Sequence, residues 1–176
     1  MPLDEDLDAI SAGSAKLRFR PPVPTDGPAI TALISRCPPL DRNSAYCNLI
    51  QCAHFPDQCV VAEQDDRIVG WVSGHRPPSD SPAFFVWQVA VAVEGRGKGL
   101  AKRMIKSLLA RPAQQDATHL ITTITDDNKA SWALFRGLAR DWDAPIERTA
   151  LFEREAHFAG AYPTEYQARI GPLTNR

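Results

Sequence analysis

Val86-Trp87-Gln88-Val89-Ala90-Val91-Ala92-Val93-Glu94-Gly95-Arg96-Gly97-Lys98-Gly99-Leu100-Ala101 is the stretch on which the fold turns. Its first half is apolar and rich in β-branched residues, the pattern of a buried strand. Its middle is a short turn carrying Gly95, Gly97 and Gly99. Its end runs into Lys102-Arg103-Met104-Ile105-Lys106-Ser107-Leu108-Leu109, where apolar residues recur at helical spacing. A strand, a glycine turn and a helix in that order can hold phosphate. Glycine admits positive φ and lets a ligand approach the backbone. The first amides of the helix have no internal acceptor, and the helix dipole favours an anion there. Arg96, Lys98, Lys102 and Arg103 add formal positive charge.

Outward from this stretch, the sequence predicts strands and helices in the order β, α, α, β, β, β, α, β, α, β, β. Residues 16–20 alternate Leu17 and Phe19 with charges, and suit an edge-like first strand. Thr25 can cap a helix presenting Ile30, Leu33 and Ile34, which Cys37-Pro38-Pro39 stops. Ser44 can cap a second helix reaching His54, with Tyr46, Leu49 and Ile50 facing inward. Residues 58–64 and 68–74 flank Asp65-Asp66-Arg67 as a hairpin. Residues 119–125 form a further strand. Asp127-Asn128 then opens a helix with Trp132, Leu134, Phe135 and Leu138, and two strands close the chain over 147–152 and 166–170. This is an α/β pattern: one mixed, mostly antiparallel sheet of six or seven strands with helices on both faces. Residues 15–176 are expected to form one domain, preceded by a flexible acidic arm over 1–14.

Composition narrows the function. With 176 residues the chain suits a single domain with a sizeable core. A net charge of −1 gives no basic field for nucleic acid. No apolar run approaches the roughly 20 residues that span a membrane, and the acidic start has no apolar signal core. The 4 cysteines (Cys37, Cys47, Cys52 and Cys59) show no metal-ligand spacing, so the expectation is reduced thiols in a cytoplasmic protein without a metal. Cysteine–histidine nucleophilic catalysis has no support in the spacing.

The turn lacks the spacing of the nucleotide-binding P-loop and of Gly-x-Gly-x-x-Gly. Arg96-Gly97-Lys98-Gly99-Leu100-Ala101 instead resembles Arg/Gln-x-x-Gly-x-Gly/Ala, the pyrophosphate-binding signature of the GNAT acetyltransferases. Asn128-Lys129-Ala130-Ser131-Trp132-Ala133-Leu134-Phe135 resembles a second motif of that superfamily, Asn-x-x-Ser-x-x-Leu-Tyr, although Asn128 taken alone reads as a helix cap. The order of elements over residues 16–170 is also that of the GNAT fold. The resemblance implies acetyl-CoA as cosubstrate, held by Arg96, Gly97, Lys98, Gly99, Leu100 and Ala101. Asn128, Ser131 and Phe135 would lie beside its pantetheine and thiol. Val89 and Val91 would pair with the pantetheine as a strand does, where the strands around Trp87–Val91 and Leu120–Ile124 part. The amide of Val89 would steady the oxyanion. Phe135 departs from the pattern: it stands where these enzymes often carry a proton-donating Tyr.

Leu40-Asp41-Arg42-Asn43-Ser44-Ala45-Tyr46, His54-Phe55, Cys59-Val60-Val61-Ala62-Glu63 and Trp87-Gln88-Val89-Ala90-Val91 are similar to the diaminobutyrate-acetylating family within that superfamily. Those enzymes supply the synthesis of ectoine, an osmoprotectant. The resemblance implies that Asp41, Asn43, Tyr46, Trp87 and Glu165 contact L-2,4-diaminobutyrate in a homodimeric enzyme. The chemistry agrees. A carboxylate suits the α-ammonium, an aromatic face such as Trp87 suits the same cation, and Asp41 or Glu165 can take the proton of the γ-amine. Tyr46 or water would protonate the departing thiolate. Tyr162-Pro163 departs from the His-Glu usual in that family. Two alternatives stay open: a GNAT enzyme for another small amine or amino acid, and a module that binds acyl-CoA without turnover.

Overall fold

The computed structural model describes residues 17–80 and 82–174, so the arm expected over 1–14 lies outside the described residues. The strands are β1 (Arg18–Arg20), β2 (Cys59–Gln64), β3 (Arg67–His75), β4 (Ala83–Val91), β5 (His119–Thr125), β6 (Ile146–Phe152) and β7 (Glu165–Ile170). The helices are α1 (Gly27–Ser35), α2 (Ala45–His54), α3 (Leu100–Leu109), α4 (Lys129–Asp141) and α5 (Arg154–Phe158). The strands form one sheet in the order β1-β2-β3-β4-β5-β7-β6. Each adjacent pair is antiparallel except β4 with β5.

The two-residue period of the strands sends alternate side chains to opposite faces. Val60, Val72, Phe84, Leu120 and Ile170 meet Met104, Ile105 and Leu108 of α3 and Leu138 of α4 in one cluster. Val61, Trp71 and Ala90 meet Ile30, Leu33 and Ile34 of α1 in the other. The helices therefore cover both faces, as the sequence pattern predicts. The four cysteines are free thiols.

Beyond the start of α1, where the N-cap is Asp26 and not Thr25, two elements differ from the sequence reading. Ser44 does cap α2, its side chain accepting from the amide of Cys47 at 3.1 Å. The buried face of α2, however, carries Asn48, Gln51 and Cys52, while Tyr46 is 72% exposed. The reason is a polar contact: Asn48 Nδ2 donates to Thr31 Oγ1 at 2.8 Å, docking α2 on α1. An apolar period could not reveal that face. The short helix α5 is the second difference. Glu153 N donates to His157 Nδ1 at 2.9 Å across its single turn, a local bond with no periodic signature.

Near the start of α1, Asp26 ties β1 to the helix. Its Oδ2 accepts from Arg20 Nη1 at 2.7 Å and from Val23 N at 2.8 Å, and its Oδ1 accepts from Arg20 Nη2 at 2.9 Å. Burial pushes the Asp26 carboxyl up, but Arg20 and the Val23 amide outweigh it and hold the group below its ordinary value. A depressed folded pKa stabilises above the unfolded value and is lost as pH falls through the folded one. Asp26→Ala should therefore lower the unfolding free energy by about 3 kcal/mol near neutral pH. In urea titrations the gap to the parent should narrow below about pH 4; a gap of constant size would contradict this account.

Candidate active site

The parallel pair β4–β5 is short. Ala83, Phe84 and Phe85 pair with His119, Leu120 and Ile121, and Thr122 Oγ1 then donates to Val86 O at 2.9 Å. Beyond that bond β4 continues beside β3, while β5 continues beside β7. The two strands fork. The phase of the β3–β4 ladder shows what lines the fork. Ala92 N donates to Val69 O at 2.9 Å, so the alternate pairs Gly70↔Val91 and Val72↔Val89 are the non-hydrogen-bonded ones. The N–H and C=O groups of Val89 and Val91 thus face away from β3, into the fork. An extended ligand can add there as a strand. Arg96 Nε already donates to the carbonyl of Val91 at 3.1 Å.

At the mouth of the fork lies the glycine turn. Gly97 and Gly99 have φ of 72° and 70°. A Cβ at either would meet nothing within 4 Å, so both positions border open space. Gly99 is the N-cap of α3 and supplies no side-chain acceptor, and the first helical bond runs from Arg103 N to Gly99 O at 3.1 Å. The amides of residues 97–102 find no backbone acceptor among the described residues. Free amides, a helix N-terminus and exposed Arg96 and Lys98 fit a diphosphate. Leu100 is buried and Ala101 half-buried beneath them.

Across the fork, Asn128 Oδ1 accepts from Ser131 N at 3.0 Å and so caps α4. Trp132 Nε1 ties the same turn to Thr125 O at 3.1 Å. Phe135 is only 3% exposed and belongs to the α3–α4 core.

The opposite face of the sheet carries the polar groups. Gln88 is 6% exposed. Its Nε2 donates to Asp41 O at 2.8 Å, and its Oε1 accepts from Asn43 Nδ2 at 3.0 Å. One buried amide thus clips the 41–43 loop to β4. Gln88 was given no role from the sequence; a polar residue inside an apolar strand was the available signal. Trp87 is the extra residue of a β-bulge, since Ser73 pairs with Gln88 and Gly74 with Val86. Its side chain is 51% exposed. On β7, Tyr166, Ala168 and Ile170 join the α3–α4 core, which turns Glu165 to the face of Gln88. Burial pushes the Glu165 carboxyl up; a bond from the Thr123 hydroxyl opposes this, and the charges of Asp41 and Asp127 push it further up. The structure thus brings Asp41, Asn43 and Glu165 toward one region. It leaves Tyr46 on the exposed face of α2, without a hydrogen bond or ring partner among the described residues. Among the described residues, no group of three or more His, Cys, Asp or Glu side chains could hold a metal ion.

Comparison with known proteins gives a consistent picture. The profile of the acetyltransferase (GNAT) family matches residues 28–139. The L-2,4-diaminobutyric acid acetyltransferase of Methylotuvimicrobium alcaliphilum is 50% identical over 147 residues, covering 84% of this chain and 86% of the relative. That of Vibrio cholerae is 47% identical over 152 residues, covering 86% and 88%. The diaminobutyrate acetyltransferase of Paenibacillus lautus, solved with its substrate L-2,4-diaminobutyric acid and coenzyme A, superposes with a TM-score of 0.86 at 34% identity. That superposition covers 93% of this chain and 99% of that one.

The clip through Gln88 is open to a direct test. Gln88→Leu strands the Asp41 carbonyl and the Asn43 amide, and should lower stability by about 2 kcal/mol. Amides of residues 40–44 should exchange hydrogen markedly faster, while those of β5 and β7 keep their protection. Unchanged exchange over 40–44 would show that the clip is idle.

Proposed function

The chain belongs to the GNAT acetyltransferase family, and on that premise we propose that it transfers the acetyl group of acetyl-CoA to the γ-amine of L-2,4-diaminobutyrate, giving N4-acetyl-L-2,4-diaminobutyrate. The observation that carries this reading is the forked β4–β5 pair, with unpaired glycine-turn amides at its mouth and the Asp41–Glu165 carboxylates on the opposite face of the sheet. The P. lautus enzyme, similar over nearly the whole chain, carries coenzyme A and diaminobutyric acid together.

Acetyl-CoA supplies an activated acyl thioester. The amides of residues 97–101, with Arg96 and Lys98, hold its diphosphate. The edge of Val89 and Val91 holds its pantetheine, and Asn128 and Ser131 flank it. Asp41 pairs with the substrate's α-ammonium, Trp87 offers its ring face to the same cation, and Asn43 adds a hydrogen bond. This grip leaves the γ-nitrogen toward the thioester. Glu165 takes the proton from the γ-ammonium, directly or through one water. Its raised pKa makes it the better base, while Asp41 serves as the cation's partner. The freed amine forms the C–N bond to the thioester carbonyl. The Val89 amide steadies the charge on the carbonyl oxygen, a donor worth ~3 kcal/mol. The C–S bond then breaks, and the proton still held by the attacking nitrogen passes through water to the departing thiolate, since Phe135 has no proton to give. On this reading the product serves the synthesis of ectoine, an osmoprotectant, in the cytoplasm. The outer strand β6 exposes Leu151 and Phe152, with Tyr162 exposed beyond it, which favours a homodimer through that face.

Mass spectrometry of the product, fragmented to locate the acetyl group, tests the reading. The γ-nitrogen should carry it; an α-acetyl product, or turnover with ornithine equal to that with diaminobutyrate, would overturn it. Glu165→Gln should lower kcat by at least about 100-fold. The acid limb of kcat/KM should lie above the ordinary glutamate value of about 4.3. Asp41→Asn removes a neighbouring negative charge and should move that limb down, whereas Thr123→Val removes a donor to the carboxylate and should move it up. A limb that moves with neither variant would exclude Glu165 as the base.

A further inference from the structure

Trp87 is the odd ring of this face. As the extra residue of the β4 bulge it has no register partner on β3. The other tryptophans (Trp71, Trp132 and Trp142) are buried, so the core holds them. Trp87 is half exposed and still needs a fixed orientation if its face is to receive a cation. Among the described residues its ring contact is His75, edge-on, with centroids 6.3 Å apart and planes at 79°. His75 ends β3 and pairs in register with Phe85; their ring centroids lie 5.0 Å apart. The chain of contacts therefore runs from the strand pair through Phe85 and His75 to the indole. Trp71 packs on α1, and strand alternation carries Ser73 and His75 to that same face, the face of Gln88. Burial pushes the imidazole pKa down, which keeps the ring neutral near pH 7 and leaves the cation's place beside the indole to the substrate.

We infer that His75 is a positioning residue for Trp87: its imidazole buttresses the indole edge so that the ring stands ready for the substrate ammonium. The consequence for substrate binding rests on the role given to Trp87 above; the buttress itself does not. Such an aromatic pair corresponds to an effect of roughly twofold to tenfold.

Two readouts on the full-length enzyme test it. The first is iodide quenching of the free protein, where Trp87 is the accessible tryptophan and Trp87→Phe identifies its share. His75→Ala should raise the quenching slope of that share, and His75→Phe should restore it. An unchanged slope in His75→Ala overturns the inference whatever the kinetics show. The second is a double-mutant cycle on KM for diaminobutyrate. His75→Ala should raise that KM roughly threefold to tenfold in the parent, leave KM for acetyl-CoA unchanged, and add nothing once Trp87 is Ala. An equal rise in the Trp87→Ala background would mean that His75 acts by another route and would also overturn it. If Trp87→Ala leaves KM for diaminobutyrate unchanged while His75→Ala loosens the indole, the buttress stands and the substrate role of Trp87 falls.

Discussion

A sheet normally uses up its backbone hydrogen-bonding groups, and the site in this protein exists because one pair of strands stops doing so. The parallel pairing of β4 and β5 ends with the bond from Thr122 Oγ1 to Val86 O. Past that point each strand keeps only its outer neighbour. Val89 and Val91 then present amides and carbonyls to a gap that neither strand fills. The Val91 carbonyl already accepts from Arg96 Nε and Cys37 Sγ, while Val89 finds no partner for its amide and carbonyl in β3 or β5, so the gap suits an extended molecule with amides of its own. Pantetheine is such a molecule. The crossover from β4 to β5 through α3 brings the glycine turn to the mouth of the same gap, and on the proposed reading one short segment holds both the diphosphate and the arm that follows it.

On the proposed reading the opposite face of the sheet has a different task, that of choosing one amine of a diamine. The solution rests on a buried amide. Gln88 sits in β4 among apolar neighbours and spends both ends of its side chain on the 41–43 loop. The position of Asp41 is therefore coupled to the strand that borders the fork. Glu165 comes from β7, which pairs with the other side of the fork through β5. On the proposed reading the cation partner sits in a loop clipped to β4 and the base on β7, the outer neighbour of β5, so the two groups come from opposite sides of the fork. Burial above all, and then the charges of Asp41 and Asp127, push the Glu165 carboxyl up, which suits it to take a proton.

Much of this was legible in the residues. The apolar run of β4, the glycines with positive φ at 97 and 99, and the amphipathic α3 each carry a strong local signal. So do the cap residues Ser44 and Asn128, whose side chains accept the bonds expected of them. What stayed hidden depends on contacts between distant residues. The inward face of α2 follows from Asn48 meeting Thr31, not from its apolar period. The clip through Gln88 needs the 41–43 loop folded over β4. The ring contacts of His75 need the bulge at Trp87, which no spacing announces.

Amide NMR of the protein titrated with coenzyme A tests the fork most directly. The amides of Val89, Val91 and residues 97–101 should shift together and gain protection, while those of β1 and β2 stay still. Saturable binding that leaves Val89 and Val91 unmoved would place the coenzyme elsewhere, and this account of the site would be wrong.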